Sequence, residues 1–526
     1  MKRSNVLWIT VLCLGWFFDF LFWNHQPGIS FALFVVLCLG GGFLVLGLEG
    51  LKPSWKALLL PAPILFFAAI TFIRLEPMTV FLAVVFVLFL MGVLAATYLG
   101  GRWMEYGLLD YLATFFRLLG SLISRPLIFL SEKKTAPPEA GASAPKVGWK
   151  HFWAVLRGVL IALPILAIFA ALLSAADPVF DRWMQDFVDL FRLERLPEYI
   201  LRGVLICVVA YLLAGVFLHA AGKSRDENLI GLDKPLVRSF LGFTEAAVVL
   251  GGVVALFTVF VIVQFKYFFG GQANIHVAGF TYAEYARRGF GELVTVAFFS
   301  LLLFLGLSGI VRRESRPQRI WFSGLGIAMV ALVGVMLVSA FQRLLLYEAA
   351  YGFSRLRTYT HVFMIWLGLL LGGVVVLDLL RRERAFALAA LLASLGFAVS
   401  LSLLNVDGFI VRQNLGRAAE GQGLDVAYLA SLSDDAVPAL AAAYQSDDLP
   451  RLTRDAAGAV LACRLHDTRR GDPDWRAFHL SHWQAERRLA PLLDELDDYQ
   501  VFTDRWPMQV LTPASVLYDC SAAYSD

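Results

Sequence analysis

Eleven long apolar stretches constrain this chain more than any other feature. They lie at 5–23, 29–48, 56–74, 78–99, 152–175, 200–220, 241–264, 291–311, 321–342, 360–380 and 386–404. About 20 apolar residues in helical form cross the roughly 30 Å hydrocarbon core of a bilayer. Lipid offers no partner for an unpaired backbone N–H or C=O, so each span is expected to be a helix. Composition agrees: 59% of the 526 residues are hydrophobic and only 17% charged. Soluble domains run at about 45–50% apolar and about 25% charged. The predicted fold class is all-α. It is a polytopic transmembrane bundle of about eleven spans with a small, mostly helical extracytoplasmic C-terminal domain. The first span follows Lys2 and Arg3. No small-residue cleavage pattern follows it, so it reads as an anchor rather than a signal peptide.

Charge sets the expected orientation. Net charge is +3, but from Asn405 onward there are eleven Arg and no Lys against nineteen Asp and Glu, a net of −8. The remainder is therefore strongly basic. Cytoplasmic loops carry the excess of Lys and Arg. With the N-terminus inside, nine of the ten lysines fall inside, Lys266 excepted. An odd number of spans then leaves the acidic tail outside.

Four regions follow along the chain. Residues 1–134 hold four spans and the segment "RWMEYGLLDYLATFFRLLGSLISRPLIF", which has helical amphipathicity and reads as a helix on the inner surface. Residues 135–148 are a Pro/Ala/Gly linker, 149–404 a seven-span core, and 405–526 the acidic soluble domain. No internal repeat is evident. After the fifth span, Asp177 and Pro178 start a short helix with Phe180, Trp183, Met184, Phe187, Leu190 and Phe191 on one face. It reads as an interfacial helix, either a lid or a gate.

The outer loops are unusual for their charge. "LYEAAYGFSRLRTYTHVF" joins spans nine and ten and contributes Tyr347, Glu348, Tyr351, Arg355, Arg357, Tyr359 and His361, with Arg343 just before it. Read as a continued helix, Arg343, Tyr347, Tyr351 and Arg355 form one stripe, and Glu348 can pair with Arg355 or Arg357. "TYAEYARRGF" adds Tyr282, Glu284, Tyr285, Arg287 and Arg288. "NVDGFIVRQNLGR" adds Asn405, Asp407, Arg412 and Arg417. Arginine forks match carboxylate and phosphate oxygens, and tyrosine suits a membrane interface. Two readings stand. Either the outer arginines dock the acidic tail, or they hold a small anion or lipid headgroup.

Charges within the spans sit near their ends. Arg157, Arg202 and Asp378 can snorkel to a surface, and Glu245 lies about one turn into its span. No charge falls at mid-membrane, which weighs against a proton relay.

"SAADPVF", "TYAEYARRGF", "LYEAAYGFSRLRTYTHVFMIWL" and "NVDGFIVRQNLGR" together resemble a family of bacterial multi-pass membrane proteins defined only as a domain of unknown function. The resemblance covers roughly residues 150–440. It implies a bacterial cytoplasmic-membrane location and brings no activity, ligand or catalytic residue.

Of the five cysteines, Cys13, Cys38 and Cys207 lie in spans, while Cys463 and Cys520 are in the tail. An extracytoplasmic tail predicts a Cys463–Cys520 disulfide. The competing reading is a metal site of Cys463, His466, His479 and His482, a loose match to metal-ligand spacing. The two exclude each other. No metalloprotease, phosphate-loop, nucleophile-elbow or kinase motif is found, and no cofactor is indicated. An acidic tail disfavours nucleic acid. The expected function is a non-enzymatic sensor, scaffold or envelope module. Its expected partners are the lipid bilayer and, at the outer face, an anion, anionic lipid or protein. The alternatives are transport of a lipid or small anion and a transferase using a lipid-linked substrate. The transferase reading rests on Asp19 near the end of span one, and the short first outer loop "NHQPG" disfavours it.

Overall fold

The computed structural model describes residues 3–135, 172–190, 196–222, 240–268, 290–466, 474–504 and 506–521, with scattered residues between 158 and 170 and Leu229. Ten helices among the described residues are long and apolar enough to cross a membrane. The protein is thus an all-α polytopic bundle. The linker after Thr135 and most of the expected span 152–175 lie outside the described residues.

The chain divides into two compact units, one of residues 1–20 with 120–219, the other of 21–119 with 220–526. The first contains most of α1 (Ser4–Phe22), the later part of α5 (Leu108–Thr135), α6 (Pro178–Leu190) and α7 (Leu196–Ala220). Close helix approach here depends on glycine. A Cβ on Gly15 would lie 2.6 Å from the Ile206 carbonyl oxygen, and one on Gly215 would lie 2.5 Å from that of Leu122. Without side-chain bulk, backbones meet and gain packing that the lipid itself does not supply. Asp19, 2% exposed, pairs with Arg202 at 2.6 Å. Arg202, expected to snorkel, is held by an ion pair with a carboxylate on the facing helix. The α6 helix starts as expected, with Asp177 accepting from the Val179 amide at 2.7 Å. Trp183 is 76% exposed.

The second unit begins with α2 (Ile29–Leu48), α3 (Pro61–Ile73) and α4 (Pro77–Thr97), packed in sequence. The α5 segment Leu108–Ser131 is itself long and apolar enough to span, although its amphipathicity predicts a surface helix. The core is α8 (Phe243–Phe268), α9 (Phe290–Ile310), α10 (Arg316–Tyr351) and α11 (Arg355–Leu379), with α12 (Phe386–Leu404) leaning on α11 and α4. The α10 helix packs against α8, α9 and α11, and Phe322, Met329, Val333, Ala340 and Leu344 on it are fully buried. At 1.5 Å per residue its 36 residues reach about 54 Å, well beyond the hydrocarbon. Only residues 352–354 connect it to α11. Spans nine and ten are thus longer than hydropathy alone predicts, because polar residues extend both helices past the apolar windows.

The C-terminal domain comprises α13 (Val406–Ala419), α14 (Val426–Ala430), α15 (Val437–Tyr444), α16 (Arg451–His466), α17 (Leu480–Leu489) and α18 (Leu493–Leu496). An antiparallel sheet, β1 (Gln500–Phe502), β2 (Gln509–Leu511) and β3 (Leu517–Asp519), follows in the order β1-β2-β3. The strands are too short for alternation to reveal in the sequence. Cys463 on α16 and Cys520 are disulfide-bonded. The domain's core of Ile410, Val411, Leu440, Val460 and Leu461 continues onto Met78, Leu82, Phe353, Tyr359 and Phe397 of the bundle.

Candidate functional site

The polar centre of the second unit lies where the C-terminal domain meets α4, α11 and α12. Its geometry starts at Asn405, which takes φ +50 between α12 and α13. Asparagine tolerates this left-handed conformation and can cap a following helix. Its side chain accepts from the Gly408 amide at 3.1 Å and donates to the Asp435 carbonyl at 3.2 Å. The turn sends α13 back across the ends of α11 and α10 and carries Asp407 to a fully buried position.

Asp407 receives a bidentate fork from Arg355, Nε at 2.8 Å and Nη2 at 2.6 Å. The Ser433 amide and hydroxyl each donate to Asp407 Oδ2 at 2.7 Å. The backbone amide of Arg355 donates to Tyr428 Oη at 2.8 Å. Asp435, 2% exposed, accepts from the amides of Leu75 and Glu76 at 2.8 and 2.9 Å and from the Ser481 hydroxyl. Arg74 Nη1 stands 3.6 Å from Asp435 Oδ1, and its Nε donates to the Ser402 carbonyl at 3.1 Å. Glu76 caps α4 through the amides of Met78 and Thr79, and Tyr359 donates its phenol to it. Every one of these buried carboxylates is filled with donors, which offsets the cost of taking charge out of water.

A second set clips the α10–α11 connection. Asn414 accepts from the Phe353 amide at 2.7 Å and donates to its carbonyl at 2.9 Å. Arg417 donates to the Ala349 carbonyl at 2.8 Å, and Arg357 donates to the Gly352 carbonyl while lying 4.2 Å over the Tyr347 ring. Burial and the neighbouring Arg357 pull the Arg417 guanidinium below its ordinary range. Tyr347 and Tyr351 rings are 4.9 Å apart. Gly352 (φ +81) breaks the helix. The stripe expected to run from Arg343 to Arg355 therefore ends at Tyr351, and Arg355 instead opens α11.

Glu348 is 1% exposed and lies 3.3 Å from His361 Nδ1, not against Arg355 or Arg357. Asp407 has already taken Arg355, and Arg357 turns to the backbone. Neither Glu348 oxygen has a hydrogen-bond donor among the described residues. Phe341 packs edge-on to His361 at 4.4 Å, and Arg343, five residues before Glu348 on α10, is buried. Arg412 lines a separate cavity of about 530 Å³ with Asn405, Leu415, Ala439 and Asp448. Tyr282, Glu284, Tyr285, Arg287 and Arg288 lie outside the described residues.

The structure does not bring the residues of the metal reading together. Cys463 is in the disulfide, His479 Nε2 faces the Pro27 carbonyl at 3.1 Å, and His482 Nδ1 faces Asp434 at 2.8 Å. No cluster able to hold a metal occurs among the described residues. Hydrogen bonding to His482 and Arg464 holds the Asp434 carboxyl below its usual range despite burial, and Asp434 raises His482 in turn. Asp378, expected to snorkel, is 3.8 Å from Arg313.

Sequence reasoning missed Arg74, Glu76, Asp435, Ser433 and Ser481. The signals were there. "RLEP" places a carboxylate before Pro77 at a helix start, and "SDDAVP" does the same before Pro438. Nothing in either predicts that the two would meet.

No curated protein and no solved structure matches the chain. The model of one family, described as Domain of unknown function (DUF4153), matches residues 62–443, a range that holds the bundle core, Arg74, Arg355, Asp407 and Asp435. The chain belongs to the DUF4153 family.

Proposed function

We propose that the protein is a non-enzymatic module of the bacterial cytoplasmic membrane. Its C-terminal domain stands on the extracytoplasmic face, clamped to the bundle, and presents a fixed surface to an envelope partner. One observation carries this reading: Arg355 and Arg74 face Asp407 and Asp435, both from the C-terminal domain. Cations occupied in this way are not free for a soluble anion. The disulfide supports an oxidising compartment for the domain.

The test pairs topology with stability. A reporter active only outside the cytoplasm is fused after Asp526, and melting of purified protein is followed with and without phosphate. Clamping predicts an active reporter, and a large loss of stability in Arg355→Gln that phosphate does not restore. An inactive reporter sinks the orientation. A stable Arg355→Gln that loses only a phosphate-dependent shift sinks the clamp and restores the anion site.

A second reading, a proton-coupled transporter of a small anion, is favoured by Glu348 facing His361 inside the bundle. A pH-sensitive dye trapped in proteoliposomes tests it. Proton movement that Glu348→Gln abolishes supports the reading, and no movement in the unaltered protein ends it.

A further inference from the structure

At the end of α10 far from the C-terminal domain lies a cavity of about 650 Å³. Arg313, Arg319 and Arg381 line it, with Asp378 as its one carboxylate among the described lining residues. Arg313 is already committed. It faces Asp378 at 3.8 Å, donates to the Ser308 carbonyl at 2.7 Å and lies 4.7 Å over the Phe322 ring. Arg319 donates from its Nε to the Arg313 carbonyl at 3.1 Å. Neither Arg319 nor Arg381 has an ion-pair partner among the described residues. Arg381 takes φ +58 just past the end of α11, a position that usually goes to glycine. Among the described residues, two forked cations thus remain at the mouth of the cavity.

The other wall is apolar and faces out of the bundle. Ile320 is 63% exposed, Leu379 60% and Ile327 36%. Ile320, Gly324 and Ile327 follow one stripe of α10. A Cβ on Gly324 would meet no atom within 4 Å, so the stripe carries an open notch.

We infer that this groove binds an anionic phospholipid, its phosphate on Arg319 and Arg381 and an acyl chain along Ile320, Gly324 and Ile327. Arginine matches phosphate oxygens through paired N–H donors. Basic pockets between membrane helices are a known form of headgroup recognition. A free anion has the same phosphate chemistry but no use for the apolar notch. The site is independent of the clamp at the opposite end of α10.

The experiment titrates purified full-length protein in nonionic detergent with phosphatidylglycerol, phosphatidylcholine and inorganic phosphate, read by native mass spectrometry. Phosphatidylglycerol should bind about tenfold tighter than phosphatidylcholine, a preference that Arg319→Gln with Arg381→Gln removes. Gly324→Leu should block lipid binding at an unchanged melting temperature, since the new side chain enters open space. That variant keeps the test valid if the arginine variant folds poorly. Equal binding of both lipids, or undiminished phosphatidylglycerol binding in Gly324→Leu, overturns the proposal. So does displacement of the lipid by inorganic phosphate that Gly324→Leu leaves unaffected, which marks a plain anion site.

Discussion

Replacing Asp407 with Asn tests the clamp most directly. The carboxylate is fully buried and accepts four hydrogen bonds, two from Arg355 and two from Ser433. Asparagine keeps the shape but removes the charge and turns one acceptor into a donor. It then faces the Arg355 guanidinium, whose side chain is only 24% exposed. Removing one partner of a buried ion pair costs about 3–5 kcal/mol, because the other charge is left without compensation. Replacing both partners with apolar groups costs far less for the same reason. Asp407→Asn should therefore lower the melting temperature in detergent strongly and expose the C-terminal domain to protease. Arg355→Met with Asp407→Leu should recover much of the loss. The assay is a double-mutant cycle on thermal unfolding, with limited proteolysis followed in parallel. A loss below about 1 kcal/mol, as for an exposed pair, refutes the reasoning. Additive losses in the double variant refute it too, since they mean the two groups do not act as a unit.

Cys463→Ser with Cys520→Ser opens a cross-link over a sequence separation of 57. The chain-entropy account assigns such a loop about 4 kcal/mol, so the domain should unfold at clearly lower urea, and free thiols in protein taken directly from membranes contradict this. The Asp434–His482 pair makes domain stability depend on pH. The raised His482 contributes fully below its unfolded pKa of about 6.5 and fades as pH rises through the higher folded value. The lowered Asp434 contributes above about 3.9 and fades as pH falls through its folded value. Urea midpoints against pH should decline on the alkaline side, and His482→Asn should flatten that limb; an identical limb in the variant rejects the pair as its source. Gly352→Ala places a Cβ 2.7 Å from both Arg417 Nη1 and Asn414 Oδ1 at φ +81. Such backbone strain costs about 1–3 kcal/mol, so the variant should melt lower, and unchanged melting rules out the glycine-dependent turn.

By itself the sequence determined the class of the protein. Hydrocarbon admits few backbone solutions, so apolar runs of bilayer length specify helices wherever they occur. Local chemistry marked one end as well: Asp177, with Pro178, opens α6. It also singled out Arg355, Asp407 and Asn405 as unusual residues. What it left open was pairing. Glu348 was expected against Arg355 or Arg357, yet lies by His361, because the chain breaks at Gly352 and the arginines turn to Asp407 and to the backbone. Asp435 meets Leu75 and Glu76 across some 360 positions, and Asp19 meets Arg202 across 183. Spacing in a chain fixes only neighbours on one element. Which carboxylate receives which arginine depends on how whole helices pack, and that was decided by the tertiary structure alone.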